Sequence, residues 1–333
     1  MNIDDLTLIK SLAKSSFGEL FLTSKKGSST QYATNVIEKT SIKGTDTERY
    51  INGEISILKE VNHPNILKLI EVKDKEEKLY IVHEYCNGGN LSEFLEKYRE
   101  KNKKGLPEEV VQHIMRQLLS AMEYLSNKEI LHRDLKLENI LINYEDENDR
   151  KNNNLMKATI KLMDFAFAKH LKKGDLTYTV LGSPLYMSPL LLNKLNGGPL
   201  YKDKGYDEKE DVWSIGTICF ELLTGRSAFD SEDMDELSQK INEGSYYLPI
   251  TLSKEAISFL RSMLKFDSNK RLSYGELINH DFLKKNVGEF HKIEPDELKN
   301  LPNKDKAQLL VNSKNDKLCF LIFKMDPKKI FDE

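Results

Sequence analysis

The chain has 333 residues, 39% hydrophobic and 31% charged, which is enough apolar material for a large core and excludes whole-chain disorder. Fifty basic residues against 53 acidic ones leave a formal net charge of −3, so bulk attraction to nucleic acid or an acidic membrane surface is excluded. Three cysteines, Cys86, Cys219 and Cys319, lack C-x-x-C spacing, which excludes a zinc or disulfide frame and fits a reducing compartment. The start, Met1-Asn2-Ile3-Asp4-Asp5, is no signal peptide, and no apolar run is long enough for a membrane span. The expectation is a cytoplasmic protein with no membrane span.

Residues 6–43 alternate apolar and polar in short runs (Leu6 and Leu8, Leu20-Phe21-Leu22, Tyr32, Val36-Ile37), a period that predicts three antiparallel strands. An amphipathic helix carrying Glu54-Ile55-Ser56-Ile57-Leu58-Lys59 ends near His63-Pro64-Asn65, and two more strands are expected at 66–72 and 79–83. Gly88-Gly89 is a breaker pair that suits a boundary. A short charged helix over 91–104 precedes a long one over 107–126, where Val111, Ile114, Met115, Leu118, Met122 and Leu125 recur at helical spacing as a core face.

Next comes His132-Arg133-Asp134-Leu135-Lys136-Leu137-Glu138-Asn139, followed by the apolar Ile140-Leu141-Ile142. These residue types suit phosphoryl transfer: Asp134 to accept a proton from an attacking hydroxyl, Lys136 to neutralise phosphate charge, Asn139 to ligate a hard metal. Residues 144–157, rich in Asn, Asp, Glu and Lys, read as a flexible insertion between two strands. The strand Ile160-Lys161-Leu162-Met163 delivers Asp164. Asp211 suits the N-cap of an apolar helix running to about Leu223, and amphipathic helices are expected at about 231–243, 253–265 and 273–279. Residues 284–333 surround an apolar run at 318–325, expected to be a strand docking on its own domain or on a partner.

The string H-R-D-L-K-x-E-N at 132–139, Asp164-Phe165-Ala166, the run Gly182-Ser183-Pro184-Leu185-Tyr186-Met187-Ser188-Pro189, and Asp211-Val212-Trp213-Ser214-Ile215-Gly216 arrive in the order and spacing of a known set. Over roughly residues 6–283 the chain resembles the eukaryotic serine/threonine protein kinase family. The run from Gly182 and the segment Glu84-Tyr85-Cys86 are similar to the autophagy-initiating and calmodulin-dependent branches. The resemblance implies an α+β, bilobal fold: a small antiparallel N-lobe over about 6–84 with one main helix, and a larger, mainly helical C-lobe over about 87–283. Residues 284–333 are left as a tail of unassigned role.

It also implies ATP and Mg²⁺, a protein substrate with a Ser or Thr acceptor, and an upstream kinase acting on an activation loop. At the matching positions Asp134, Lys136 and Asn139 would be catalytic, and Asn139 and Asp164 would hold the metal. ATP would meet Leu12, Ala13, Lys14, Phe17, Gly18, Leu20, Ala33, Asn35, Glu54 and Leu141, with the backbones of Glu84 and Cys86 reading adenine beside a gatekeeper, His83. Arg133 would grip a phosphate on Thr177 or Thr179, in the same loop as Ser183.

The chain departs from the family at several of these positions. Only Gly18 remains of three loop glycines, with Ala13 and Ser15 in place of the others, so left-handed loop conformations would be costlier. Asn35 stands where the phosphate-gripping lysine belongs, although Glu54, its usual partner, is present. Lys39 is four strand residues away, about 13 Å, so Lys14 is the better substitute. Ala166 replaces the glycine of D-F-G and should limit backbone flipping. Leu190 replaces a glutamate whose usual partner is Arg271, so a buried Arg271 needs another acid or water. Two readings follow. Intact Asp134, Lys136, Asn139 and Asp164 favour a serine/threonine kinase of reduced or rewired activity; Asn35, Ala13, Ser15, Ala166 and Leu190 favour an ATP-binding pseudokinase acting as a scaffold or allosteric regulator.

Overall fold

The structure is a computed structural model that describes residues 5–172, 176–177, 181–196, 205–231, 233–243, 245–249, 252–284, 307–311 and 319–324. In chain order, strands β1 (Leu6–Lys14), β2 (Gly18–Lys25) and β3 (Gln31–Glu38), helices α1 (Lys39–Ile42) and α2 (Asp46–Glu60), and strands β4 (Leu69–Asp74) and β5 (Lys78–Glu84) come first. Helices α3 (Leu91–Asn102) and α4 (Glu108–Asn127), strands β6 (Ile130–Leu131) and β7 (Ile140–Asn143), α5 (Glu147–Lys151), β8 (Thr159–Leu162) and β9 (Lys169–His170) follow. The remainder is α6 (Pro189–Leu195), α7 (Glu208–Thr224), α8 (Met234–Glu243), β10 (Ser245–Pro249), α9 (Lys254–Met263), α10 (Tyr274–Ile278), α11 (Asp281–Lys284), β11 (Ala307–Val311) and β12 (Cys319–Lys324). A five-stranded antiparallel sheet followed by a mainly helical region is the expected α+β class. Backbone contacts divide the chain into one unit of residues 1–91 with 138–169 and a second of 92–137 with 170–333.

The first unit is built on the sheet β1-β2-β3-β5-β4. Its alternating strands bury Ile37, Leu79 and Ile81 against Ile42 and Ile55, with Ile51, Leu69 and Val72 around them. Helix α2 is placed by its N-cap, where the Thr45 side chain accepts from the Glu48 amide, and its apolar residues turn inward while Glu54 stays at the margin of the core. The hairpin β7–β8 pairs Ile140 with Leu162 and Ile142 with Ile160. The glycine pair does more than mark a boundary. Gly88 and Gly89 exchange backbone bonds with Ile142, and a Cβ on Gly88 would meet the Ile142 side chain at 2.8 Å.

Residues 144–157 correct the sequence reading. They form α5, capped by Asp146 accepting from the amides of Asn148 and Asp149, then a 3-10 turn over Leu155–Lys157 that buries Leu155. The polar composition that reads as flexible is instead spent on capping bonds and a local Arg150–Glu147 pair.

The second unit packs around α4 and α7. Val111, Ile114, Met115, Leu118, Met122 and Leu125 are buried as the helical spacing predicts. The Glu108 carboxylate ties α4 to α9 by accepting from the Ser253 amide and hydroxyl at 2.7 and 2.6 Å. Helix α7 begins earlier than expected. Asp207, not Asp211, is its N-cap, accepting from the Lys209 amide, and Asp211 lies inside the first turn and is buried.

Arg271 finds the acid it needs on that same turn. Its guanidinium lies 3.2 Å from the Glu210 carboxylate, both side chains 1% exposed. It also donates to the carbonyls of Lys265, Lys209 and Phe266 and lies over the Trp213 ring at 5.1 Å. The apolar run of the tail docks on its own domain: β12 pairs antiparallel with β10 on one side and β11 on the other. With both edges hydrogen-bonded, the backbone of 319–324 is not left for a partner strand.

Candidate active site

Within the first unit the residues that the resemblance assigns to ATP fall on β1, β2, β3, α2, the end of β5 and the β7–β8 hairpin. The β1–β2 turn closes without left-handed residues: Ser15 N–H and Oγ both donate to the Gly18 carbonyl, at 2.9 and 3.1 Å, and Ser15 Oγ accepts from Phe17 N–H at 3.3 Å. The cost expected from losing glycines therefore does not arise, because a serine side chain completes the turn. Gly18 is kept for a steric reason, since a Cβ there would lie 2.1 Å from the Val36 carbonyl oxygen. Leu12 and Phe17 are exposed, Ala13 pairs with Leu20 across β1–β2, and Ala33 lies between Leu22 and His83.

Asn35 sits mid-strand between Leu20 and Ile81. Glu54 accepts from the Phe165 amide at 3.2 Å. Its carboxyl is pushed up to about 7, first by burial and then by the Asp164 charge, with the Phe165 N–H opposing. Among the described residues no lysine is paired with it. Lys14 is 76% exposed and lies 3.5 Å from Glu19, its register partner, and Lys39 is bonded to Asp74, so neither supplies the missing charge in this arrangement.

The end of β5 is strongly fixed. Glu84 Oε1 accepts from Lys161 Nζ and the Lys68 amide, each at 2.8 Å, and the Glu84 N–H donates to the Lys68 carbonyl. Of the Glu84 backbone, the amide is thus committed within the sheet. Cys86 is buried and its thiol is pushed up to about 12 by burial and by Glu84. His83 is held neutral, its pKa lowered to about 4 by burial, and among the described residues its Nε2 has no hydrogen-bond partner. On the hairpin, Leu141 pairs with Lys161, the buried Asn139 accepts the Met163 amide through its carbonyl, and Asp164 follows. Asp164 has φ +65°, and its carboxylate accepts from the Ala166 amide at 3.3 Å. A non-glycine residue held left-handed costs about 1–3 kcal/mol and clusters at functional sites.

Within the second unit the loop at 132–137 is held at His132, Arg133, Asp134 and Lys136. Asp211 accepts from the His132 and Arg133 amides, both at 3.0 Å, and from the Tyr206 hydroxyl. Arg133 takes φ +69°, and a Cβ on Gly182 would lie 2.9 Å from the Arg133 carbonyl oxygen, so glycine is required there. Ser183 Oγ donates to Asp134 Oδ1 at 3.0 Å, while Lys136 Nζ reaches Asp134 Oδ2 at 2.9 Å and Ser183 Oγ at 3.2 Å. The Ser183 hydroxyl is therefore engaged rather than offered for modification.

Thr177 also departs from expectation. It is 2% exposed and shares two backbone bonds with Tyr206, so it is not presented as a phosphate acceptor in this conformation. Thr179 lies outside the described residues. Tyr206, Glu210 and Lys161 were not singled out from the sequence. Glu210 had a signal, an acid beside Asp211 in a chain lacking one at 190, whereas nothing local marks Tyr206.

The protein kinase domain model matches residues 6–283. The chain belongs to the protein kinase domain family. Among its curated relatives, serine/threonine-protein kinase ULK3 of Xenopus laevis is 33% identical over 285 residues, covering 84% of this chain and 56% of that protein. Serine/threonine-protein kinase atg1 of Dictyostelium discoideum is 30% identical over 295 residues, 87% of this chain and 41% of that protein. Myosin light chain kinase A of the same organism is 35% identical over 279 residues, 83% and 86% respectively. The chain thus spans about half the length of the first two relatives. Among the described residues no helix is long and apolar enough to cross a membrane.

Proposed function

We propose that this kinase domain transfers the γ-phosphate of ATP to serine or threonine hydroxyls of proteins, with Asp134 as the base. The observation that carries the reading is the set formed by Asp134, Lys136 and Ser183: a hydroxyl already donates to the Asp134 carboxylate at 3.0 Å, the distance a general base needs, with a lysine beside both. Lys136 stabilises negative charge next to the acceptor hydroxyl.

Asp164 and Asn139 offer a carboxylate and an amide oxygen, and among the described residues no group of three or more His, Cys, Asp or Glu could hold a metal ion. That donor set fits a Mg²⁺ ion that keeps water and phosphate oxygens. When bound, the ion neutralises charge on the β- and γ-phosphates.

A second reading, an ATP-binding pseudokinase, is favoured by Asn35 at the lysine position and by Glu54, whose carboxyl is pushed up to about 7 by burial and the Asp164 charge. Losing one preorganised contact costs roughly 100- to 1,000-fold in rate, against total enhancements of roughly 10⁶-fold or more. A slowed enzyme is therefore the better account. Transfer of labelled γ-phosphate from Mg·ATP to a basic protein, compared between wild type and Asp134→Asn, tests it. Incorporation that vanishes in the variant supports catalysis, and equal background in both overturns it in favour of the pseudokinase.

A further inference from the structure

A path of buried bonds links the segment before Gly182 to the loop that carries Asp134, and the side chain at its centre is Tyr206. At one end, Thr177 N–H donates to the Tyr206 carbonyl at 3.2 Å and Tyr206 N–H donates to the Thr177 carbonyl at 2.6 Å, an isolated antiparallel bridge. The bridge is close-fitting, because a Cβ on the adjacent Gly205 would lie 2.3 Å from the Leu176 Cβ. Both Thr177 and Tyr206 are 2% exposed. At the other end, the Tyr206 hydroxyl donates to Asp211 Oδ1, on the carboxylate that accepts the His132 and Arg133 amides.

We propose that Tyr206 is a positioning residue: it transmits the placement of the segment at Thr177 to the catalytic loop, by orienting the Asp211 carboxylate on which the His132 and Arg133 amides hang.

Among the described residues the two Asp211 oxygens meet the His132 and Arg133 amides and the Tyr206 hydroxyl, so removing the hydroxyl loosens the carboxylate about its Cβ–Cγ bond. The two amides then lose aligned acceptors, and Arg133, already at φ +69°, loses part of what holds it there. Burial and the neighbouring Asp211 and Glu210 carboxylates push the Tyr206 phenol well above its usual range, so it remains a donor across physiological pH. Thr177 takes part through its backbone, which gives its burial a purpose other than phosphate acceptance.

The inference rests on the kinase reading only where turnover is measured, so two readouts are paired. Tyr206→Phe keeps the ring and removes the hydroxyl. Thr177→Pro keeps Tyr206 intact and removes the amide donor of the bridge. Amide hydrogen exchange at His132 and Arg133 is expected to accelerate roughly 10-fold in both variants, with the unfolding midpoint near that of wild type. In wild type active on the basic protein, Tyr206→Phe is expected to lower kcat roughly 10-fold while KM for ATP stays within about twofold. Exchange at His132 and Arg133 unchanged in both variants overturns the proposal, even if wild type shows no transfer at all. That last result alone would count against the kinase reading and leave the exchange experiment decisive.

Discussion

The two units of this chain have been treated differently by its sequence. In the first unit, Asn35 stands at the lysine position, and among the described residues it is the Phe165 amide that moderates the repulsion between Glu54 and Asp164. In the second, Asp134, Arg133, Asp211 and Arg271 each meet specific partners, and where the family acid is missing at Leu190 another, Glu210, replaces it. The contrast follows from burial. An unpaired Arg271 at 1% exposure would cost several kcal/mol, so its charge must be answered for the unit to fold. Glu54, whose carboxyl is pushed up to about 7 by burial, can take up a proton instead, which a guanidinium cannot do.

That contrast can be broken most forcefully at Glu210. Glu210→Ala should destabilise the protein by about 3–5 kcal/mol, the cost of stranding a buried guanidinium, and adding Leu190→Glu should recover part of it. Urea unfolding measures both; a loss under about 1 kcal/mol would mean the three carbonyl acceptors alone suffice for Arg271.

Repairing the weaker half is the next largest effect. Asn35→Lys restores the cation that the family has at this position and should raise kcat/KM for ATP by roughly 100-fold, near the lower bound for one preorganised contact. No gain would show that the first unit has diverged beyond this one residue.

A pH experiment sharpens the same point. The folded Glu54 carboxyl titrates at about 7 against an ordinary 4.5, so between those values the folded state keeps a proton that the unfolded chain has released. Its contribution to stability is therefore present at low pH and lost as pH rises from about 4.5 to 7. His83 acts oppositely: its folded pKa is about 4 against 6.5, the unfolded chain holds the extra proton, and its contribution grows as pH rises through that window. The two slopes oppose each other in wild type. Glu54→Gln should leave the His83 slope uncovered, so the unfolding midpoint climbs more steeply from about pH 4.5 to 6.5; a slope equal to wild type would show that Glu54 does not carry the shift.

The smallest effect is expected at Lys14. An exposed ion pair with Glu19 contributes at most about 1 kcal/mol. Lys14→Met should change ATP affinity and turnover by less than about twofold, below what any lysine gripping a phosphate would give. A loss of tenfold or more would return it to the site.

Much of the fold was legible because period and spacing are local properties of the chain. Alternation marked β1 to β5, the apolar face of α4 followed its 3.6-residue repeat, and the motif strings located the loop at 132–139 and the Asp164 strand. Where the reading failed, a local cue was outweighed by something distant. Residues 144–157 look flexible by composition, yet Leu155 is buried and Asp146 caps a helix. Asp211 looks like a cap, but Asp207 takes that place and leaves Asp211 to the catalytic-loop amides.

By itself, the sequence determined which residue types stand at the family's motif positions: the carboxylates of Asp134 and Asp164, the lysine at 136, the amide at 139 and an asparagine at 35 are all countable residue by residue. Only the tertiary structure decided how those groups are held. It gave Glu210 to Arg271, the Tyr206 hydroxyl to Asp211, and to Gly18 a packing role against Val36. Partners far apart in sequence cannot be read from spacing, because what selects them is the cost of burying a polar group unpaired, and burial exists only once the chain has folded.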